Sequence, residues 1–291
     1  MRKIEKIEVI YSQGTAETRE DGLIVNPPFF GVIDGTSAPH HYKMTPVLFN
    51  SMTGGEMVRK VILETFYLAE PKLPLRELIL QANRKIGKIQ TERGISIDRS
   101  DLLAAASFVF AKIGEKNIEI IQGGDCFGVW LTNSGEIGIT KTSYQKISLE
   151  LMTIINDLSK KHNGDRKEML VEFAPLLAKF RRRYINTKTY DCVALLNGQP
   201  WVEQCWQRLE VPLENLDLLL LFSDGFMLTN EIISNEEIAK KAIKAYTEKG
   251  FTGTLRDNRL IEKSKETQLH ITHQEATAIA IKFEKIALSN Y

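Results

Sequence analysis

Hydrophobic residues change their spacing several times along the chain, and each change marks a predicted element. In the first third, residues 4–11, 22–25 and 29–33 are rich in Ile, Val and Phe and separated by Gly or Pro, which predicts three strands. After a loop around residues 39–46 the period becomes helical. Thr53-Gly54-Gly55-Glu56 fits a capping box, and Val58, Ile62 and Phe66 follow at helical spacing. A second helix is expected after Pro74, with Leu75, Leu78, Ile79, Ala82, Ile86 and Ile89 on one face.

Short apolar runs then return at 104–113, 118–122, 128–132 and 136–140. They predict an antiparallel meander, because their connections are too short for crossover helices. Residues 144–184 are more polar and helical, with Leu149, Met152, Ile155 and Leu158 as a stripe, and are expected to form a mostly helical insertion or flap. Strands resume at 192–196 and 216–222, a helix is predicted over about 235–249, and the last strand at 276–283. No repeat or low-complexity tract interrupts this order. It predicts one α+β domain over residues 1–291 with largely antiparallel sheets.

Composition narrows the function classes. A hydrophobic fraction of 43% is enough for a sizeable core, so an ordered domain is expected. Thirty-eight basic against 37 acidic residues leave no net field to attract nucleic acid or an anionic membrane. The longest apolar candidates, 102–111 and 216–222, are strand-length and far short of the roughly 18 residues of a membrane span. The opening MRKIEKIEVIYSQG carries acids and does not read as a signal peptide. Cys126, Cys192 and Cys205 form no C-x-x-C pair and read as reduced thiols. These features together predict a soluble, cytoplasmic monomer. Arg181-Arg182-Arg183 reads as a solvated helix face in preference to a site for a phosphorylated or acidic partner, Trp201 and Trp206 read as packing residues, and Cys126 as buried. Neither a P-loop nor a dinucleotide-binding glycine fingerprint is present.

The chemistry is suggested by apolar strands that run directly into aspartates. Phe29-Phe30-Gly31-Val32-Ile33 leads into Asp34-Gly35, Ile118–Gly124 into Asp125, and Leu218–Ser223 into Asp224-Gly225. Glu20-Asp21 precedes one strand and Glu275 another. Any one Asp-Gly after a strand is an ordinary turn, so the weight falls on joint occurrence and order. Carboxylates converging from neighbouring strands repel unless a cation neutralises them. An oxygen-only set without His or Cys selects hard ions such as Mg²⁺ or Mn²⁺.

In that order, the chain resembles the type 2C metal-dependent serine/threonine protein phosphatases over nearly its whole length. The matching pieces are Glu20-Asp21, FFGVIDGTS at 29–37, TGGEMV at 53–58, AAASFVFAKI at 104–113, IIQGGDCFGVWL at 120–131, LLLLFSDGF at 218–226 and EATAIAIKF at 275–283. The resemblance implies a four-layer α-β-β-α sandwich, with two packed antiparallel sheets flanked by helices. It implies hydrolysis of phosphoserine or phosphothreonine in proteins, in signal transduction, with Mg²⁺ or Mn²⁺. Asp34 would bridge two ions with the Gly35 carbonyl completing the second site. Asp224 and Glu275 would hold the first ion, and Asp125 with Asp224 a weaker third. Asp21, helped by Glu20, would bind or orient metal waters.

Three departures from the family pattern stand out. Glu275 replaces the usual Asp before the last strand. The phosphate-binding arginine expected before Asp21 falls near Ala16, leaving Arg19 as a substitute. Thr36-Ser37 follow Asp34-Gly35, with His40 and His41 soon after as candidate proton donors. Two alternatives to an active protein phosphatase stay open: a pseudophosphatase that binds phosphoproteins or regulatory partners, and a small-molecule phosphomonoesterase.

Overall fold

A computed structural model describes residues 2–38, 47–141, 144–163, 165–226, 234–269 and 273–284, with the backbone alone at helical positions 144–146, 148, 152, 166, 167, 170 and 264–269. Among these described residues, ten strands form two five-stranded sheets whose pairings are all antiparallel. One sheet contains β1 (Ile4–Ser12), β6 (Phe127–Thr132), β7 (Ile137–Ile139), β9 (Leu216–Phe222) and β10 (Ala276–Phe283), in the order β1-β10-β9-β6-β7. The other contains β2 (Gly22–Asn26), β3 (Phe29–Thr36), β4 (Ala105–Ile113), β5 (Asn117–Gly123) and β8 (Gln207–Pro212), in the order β2-β3-β4-β5-β8.

The near-continuous apolar strands are explained by burial on both faces. On β3, Phe30 and Val32 belong to the layer between the sheets, whereas Phe29 and Ile33 belong to the layer beneath α1 (Gly54–Tyr67) and α2 (Leu75–Glu92). On β4, Val109 and Ala111 alternate in the same way with Phe108 and Phe110. In the opposing sheet, Leu219, Leu221, Ile279 and Ile281 face inward. Their neighbours Leu218, Leu220, Ala278 and Ala280 lie under α6 (Asn235–Leu269). Successive side chains point to opposite faces of a strand, so a strand covered on both sides must be apolar throughout. The result is the expected four-layer sandwich.

The capping box at Thr53 is present, with Thr53 Oγ1 accepting from the Glu56 N–H and Glu56 accepting from the Thr53 N–H. Several expectations change. The meander is split: β5 pairs with β4 and β8, while β6 pairs with β7 and β9 in the other sheet. Residues 192–196 form no strand and are held by a bridge between Ile185 and Val193 and by paired backbone bonds between Ala106 and Leu196. Polar β8 and the short α5 (Val202–Cys205) were not expected, because an edge strand carries little apolar signal. α6 runs past Lys249 through a kink at Gly250, whose φ of 63° breaks the helical geometry.

The stretch expected to form a helical insertion or flap contains α3 (Tyr144–Lys161) and α4 (Arg166–Tyr184). Leu149 is exposed; Ile147, Leu151 and Leu158 are the buried positions of α3, and the Met152 side chain lies outside the described residues. Cys192 and Cys205 are joined as a disulfide, correcting the expectation of free thiols. Folding brings their Cα atoms to 5.3 Å across 13 residues of sequence, a proximity that spacing alone does not reveal. Cys126 is free and buried, and no helix among the described residues is long and apolar enough to cross a membrane.

The inter-sheet layer should dominate stability. Leu219→Ala, at a fully buried inward position, is expected to cost about 2–5 kcal/mol in denaturant unfolding. Val9→Ala, half exposed on β1, should change stability by no more than about 0.5 kcal/mol.

Candidate metal centre

The alternation that builds the sandwich also builds the site. Asp34 is not the residue after a strand: β3 continues through it to Thr36, and Asp34 pairs in register with Ser107 of β4. It follows Phe30 and Val32 in the same phase, so its carboxyl belongs to the face that looks toward the other sheet. Ser223 and Thr277 continue the inward phases of β9 and β10. The mouth of the inter-sheet layer is therefore polar where the rest is hydrocarbon.

Asp21 is buried there, and its Oδ2 accepts from Thr277 Oγ1 at 2.6 Å and from Ser223 Oγ at 3.0 Å. Ser223 Oγ in turn accepts from the Thr277 N–H at 3.1 Å. Glu275 accepts from the Tyr11 hydroxyl at 2.7 Å through Oε1, and from the Glu20 N–H at 2.8 Å through Oε2. Asp224 opens a 3₁₀ turn, Asp224–Phe226, directly after β9 and Ser223. A Cβ on Gly225 would stand 1.8 Å from the Glu275 carbonyl oxygen, so only glycine lets this turn lie against the segment carrying Glu275. Asp125 accepts a hydrogen bond from Ser107, and its Oδ1 is buried without a partner.

Other candidates are placed differently. The Glu20 carboxylate accepts from Thr53 Oγ1 and Ser37 Oγ, which seats it at the amino end of α1. Gly35 allows this approach, since a Cβ there would lie 2.6 Å from the Glu20 carbonyl and 2.9 Å from that of Gly55. Arg19 is exposed, with its guanidinium 3.9 Å from the centre of the Tyr11 ring. His40 and His41 lie outside the described residues. Sequence reasoning missed the supporting hydroxyls of Tyr11, Ser107, Ser223 and Thr277. A polar residue at an inward phase of an otherwise apolar strand was the signal for the last three. The preference for a solvated face fails at Arg181, which is 6% exposed. Arg182 instead pairs with Asp101 at 2.6 Å, and Arg183 covers the Tyr184 ring.

No protein-family model matches the sequence, and a search of curated proteins finds no match. Solved structures do match. PppA of Pseudomonas aeruginosa is 15% identical, with 97% of this chain and 99% of that one covered and a TM-score of 0.55. The serine/threonine phosphatase PstP/Ppp of Mycobacterium tuberculosis is 14% identical over 96% of this chain and 99% of its own, with a TM-score of 0.54. A catalytic domain of PstP in complex with two manganese ions is 12% identical over 96% of this chain and 98% of its own, with a TM-score of 0.53. The chain has the type 2C serine/threonine phosphatase fold.

Within this type 2C fold the acids are strongly perturbed. Burial, followed by the charges of Asp21, Asp224, Asp125 and Glu275, pushes the Asp34 carboxyl well above the usual carboxylate range. Burial raises Asp21 to about 7, against the opposing hydrogen bonds from Thr277 and Ser223. Burial, then Asp125 and Asp21, raises Asp224 to about 8. Asp125 is raised by burial, with the Ser107 hydrogen bond acting the other way. Cys126 is pushed up by burial and by the same carboxylates, so it is no thiolate nucleophile.

Such a set must hold either protons or cations. Among the described residues, no three His, Cys, Asp or Glu side chains converge as a ready-made metal cage. The Asp34 and Asp224 carboxyl groups lie side by side, within reach of a shared proton or cation. The donor chemistry nevertheless fits hard divalent ions. It is oxygen-only, it includes the orphaned Asp125 Oδ1, and cations would offset the burial that raises Asp21, Asp34, Asp125 and Asp224 and the mutual charge that adds to it at Asp21, Asp34 and Asp224.

The linkage has a definite sign. Carboxyls whose folded pKa is raised bind more protons folded than unfolded, so stability falls as pH rises from about 4 through 7 and 8. The melting temperature of the chelated protein should therefore drop between pH 5 and pH 8.5. Mn²⁺ should remove most of the drop, and Asp34→Asn should reduce it; both effects can be read by thermal denaturation across pH.

Proposed function

We propose that the chain is a protein serine/threonine phosphatase that hydrolyses phosphoserine or phosphothreonine with two divalent cations, Mg²⁺ or Mn²⁺. The observation that carries this reading is the buried set Asp21, Asp34, Asp125 and Asp224, with Glu275 beside it, at one mouth of the inter-sheet layer. The sandwich itself needs no charge there.

When bound, two such ions acidify a water and polarise the phosphoryl oxygens. Asp34 would hold both ions from β3, with the Gly35 carbonyl beside it. Asp224 and Glu275 would hold one ion from the ends of the opposing sheet. Asp125 would offer its unpartnered Oδ1 to a weaker third ion. Asp21, fixed by Thr277 and Ser223, would accept from water at the ions. Tyr11 and the Glu20 N–H fix the Glu275 carboxylate before substrate arrives, so its orientation costs nothing during reaction. His40 and His41 remain proposals for protonating the leaving alkoxide.

A second reading is favoured by two departures from the family pattern, Glu275 in place of Asp and Ala16 in place of the phosphate-binding arginine. A set that binds cations weakly would make the chain a phosphoprotein-binding pseudophosphatase.

Hydrolysis of a phosphothreonine peptide separates the two. Turnover should require Mn²⁺, vanish with chelator, and fall by at least about 10²–10³-fold in Asp34→Asn. Absence of metal-dependent turnover over a peptide panel would favour the pseudophosphatase. Turnover confined to small phosphomonoesters would indicate a metabolite hydrolase.

A further inference from the structure

The guanidinium of Arg181 sits against the strand that carries Asp34. Its Nη1 donates to the Leu103 carbonyl at 3.0 Å, and its Nη2 to Thr36 Oγ1 at 3.2 Å and to the Ser37 carbonyl at 3.3 Å. Thr36 and Ser37 directly follow Asp34-Gly35. The same residue lines a cavity of about 210 Å³ whose polar wall includes Asp34, Ser107 and Asp125 and whose apolar wall includes Leu177 and Phe180 of α4. Among the described residues lining that cavity, Arg181 is the one cation.

We propose that Arg181 binds the phosphoryl oxygens of the substrate, so that the phosphate clamp of this chain comes from the helical flap and not from the segment before Asp21. The assignment rests on the phosphatase reading above. A phosphate dianion entering a cavity walled by carboxylates needs fixed positive charge beyond that of the bound ions. A guanidinium offers it as a planar fork that matches two phosphoryl oxygens at once. The fork is held in place by the Leu103 carbonyl, Thr36 Oγ1 and the Ser37 carbonyl among its partners. The bonds to Thr36 and Ser37, at 3.2 and 3.3 Å, are longer than that to Leu103.

The position before Asp21 supplies no equivalent. Ala16 carries no charge, and Arg19 is an exposed residue stacked on Tyr11 that does not line the cavity.

The test titrates inorganic phosphate into the Mn²⁺-loaded full chain by calorimetry, alongside kcat and KM for a phosphothreonine peptide. Arg181→Met is expected to weaken phosphate binding about 10–100-fold and to raise KM in parallel, with Mn²⁺ affinity changed by less than about twofold. Arg181→Lys, which keeps the charge but lacks the fork, should lose severalfold. Unchanged phosphate affinity in a folded Arg181→Met variant would overturn the assignment, as would a larger loss in Arg19→Ala. If Arg181→Met does not fold by circular dichroism, Arg181→Lys decides: full phosphate affinity there overturns the proposal and severalfold loss supports it. Arg181-dependent phosphate binding without peptide turnover would uphold this site and remove the phosphatase reading. Peptide turnover insensitive to Arg181 would do the reverse.

Discussion

The repulsion among buried carboxyl groups at one mouth of the sandwich is the constraint around which the rest is arranged. Asp34 occupies a position that, by strand alternation, belongs to the hydrocarbon layer filled two and four residues earlier by Val32 and Phe30. A carboxylate placed there alone would cost several kcal/mol or stay protonated. Asp21, Asp125 and Asp224 deepen the problem, since each adds to the same field. The fold tolerates the group because hydroxyls satisfy part of it. Thr277 and Ser223 serve Asp21, Ser107 serves Asp125, and Tyr11 serves Glu275. The remaining capacity is aimed at neighbouring carboxyls, the arrangement that cations relieve.

That arrangement depends on close backbone approaches from both sheets. Gly225 lets the turn behind Asp224 lie on the Glu275 carbonyl, and Gly35 lets β3 lie against Glu20 and the first turn of α1. The Glu20 carboxylate then takes hydroxyl bonds from Ser37 and Thr53, the residue that also caps α1. Helix, strand end and acidic site are thereby fixed relative to one another.

The flap belongs to the same system. α3 and α4 bury Ile147, Leu151, Phe180 and Tyr184 together with Ala105, Val193 and Leu195. Through Arg181, α4 is bonded to the residues that follow Asp34-Gly35. Leu177, Phe180 and Arg181 of this helix share one cavity wall with Asp34 and Asp125, so helix packing and site electrostatics are coupled.

Much of this was legible in the chain. Apolar strands with Gly-bounded turns, the Thr53 capping box and the helical stripe of α2 are local signals, and the structure reproduces them closely. The acids at or beside strand ends were legible for the same reason: an apolar run that meets Asp marks itself. Which strands share a sheet was not legible, because β5 and β6 are adjacent in sequence yet turn into different sheets. The Cys192–Cys205 bond and the burial of Arg181 escaped for a related reason. Both depend on what lies opposite a residue, and Arg181 is one of three arginines that look alike in sequence. The sequence by itself determined most of the strands and helices and marked the acids at their ends as candidates, since period and turn chemistry are written locally. Only the tertiary structure decided which groups face one another, because hydrogen-bond partners and mutual fields arise between residues far apart in the chain.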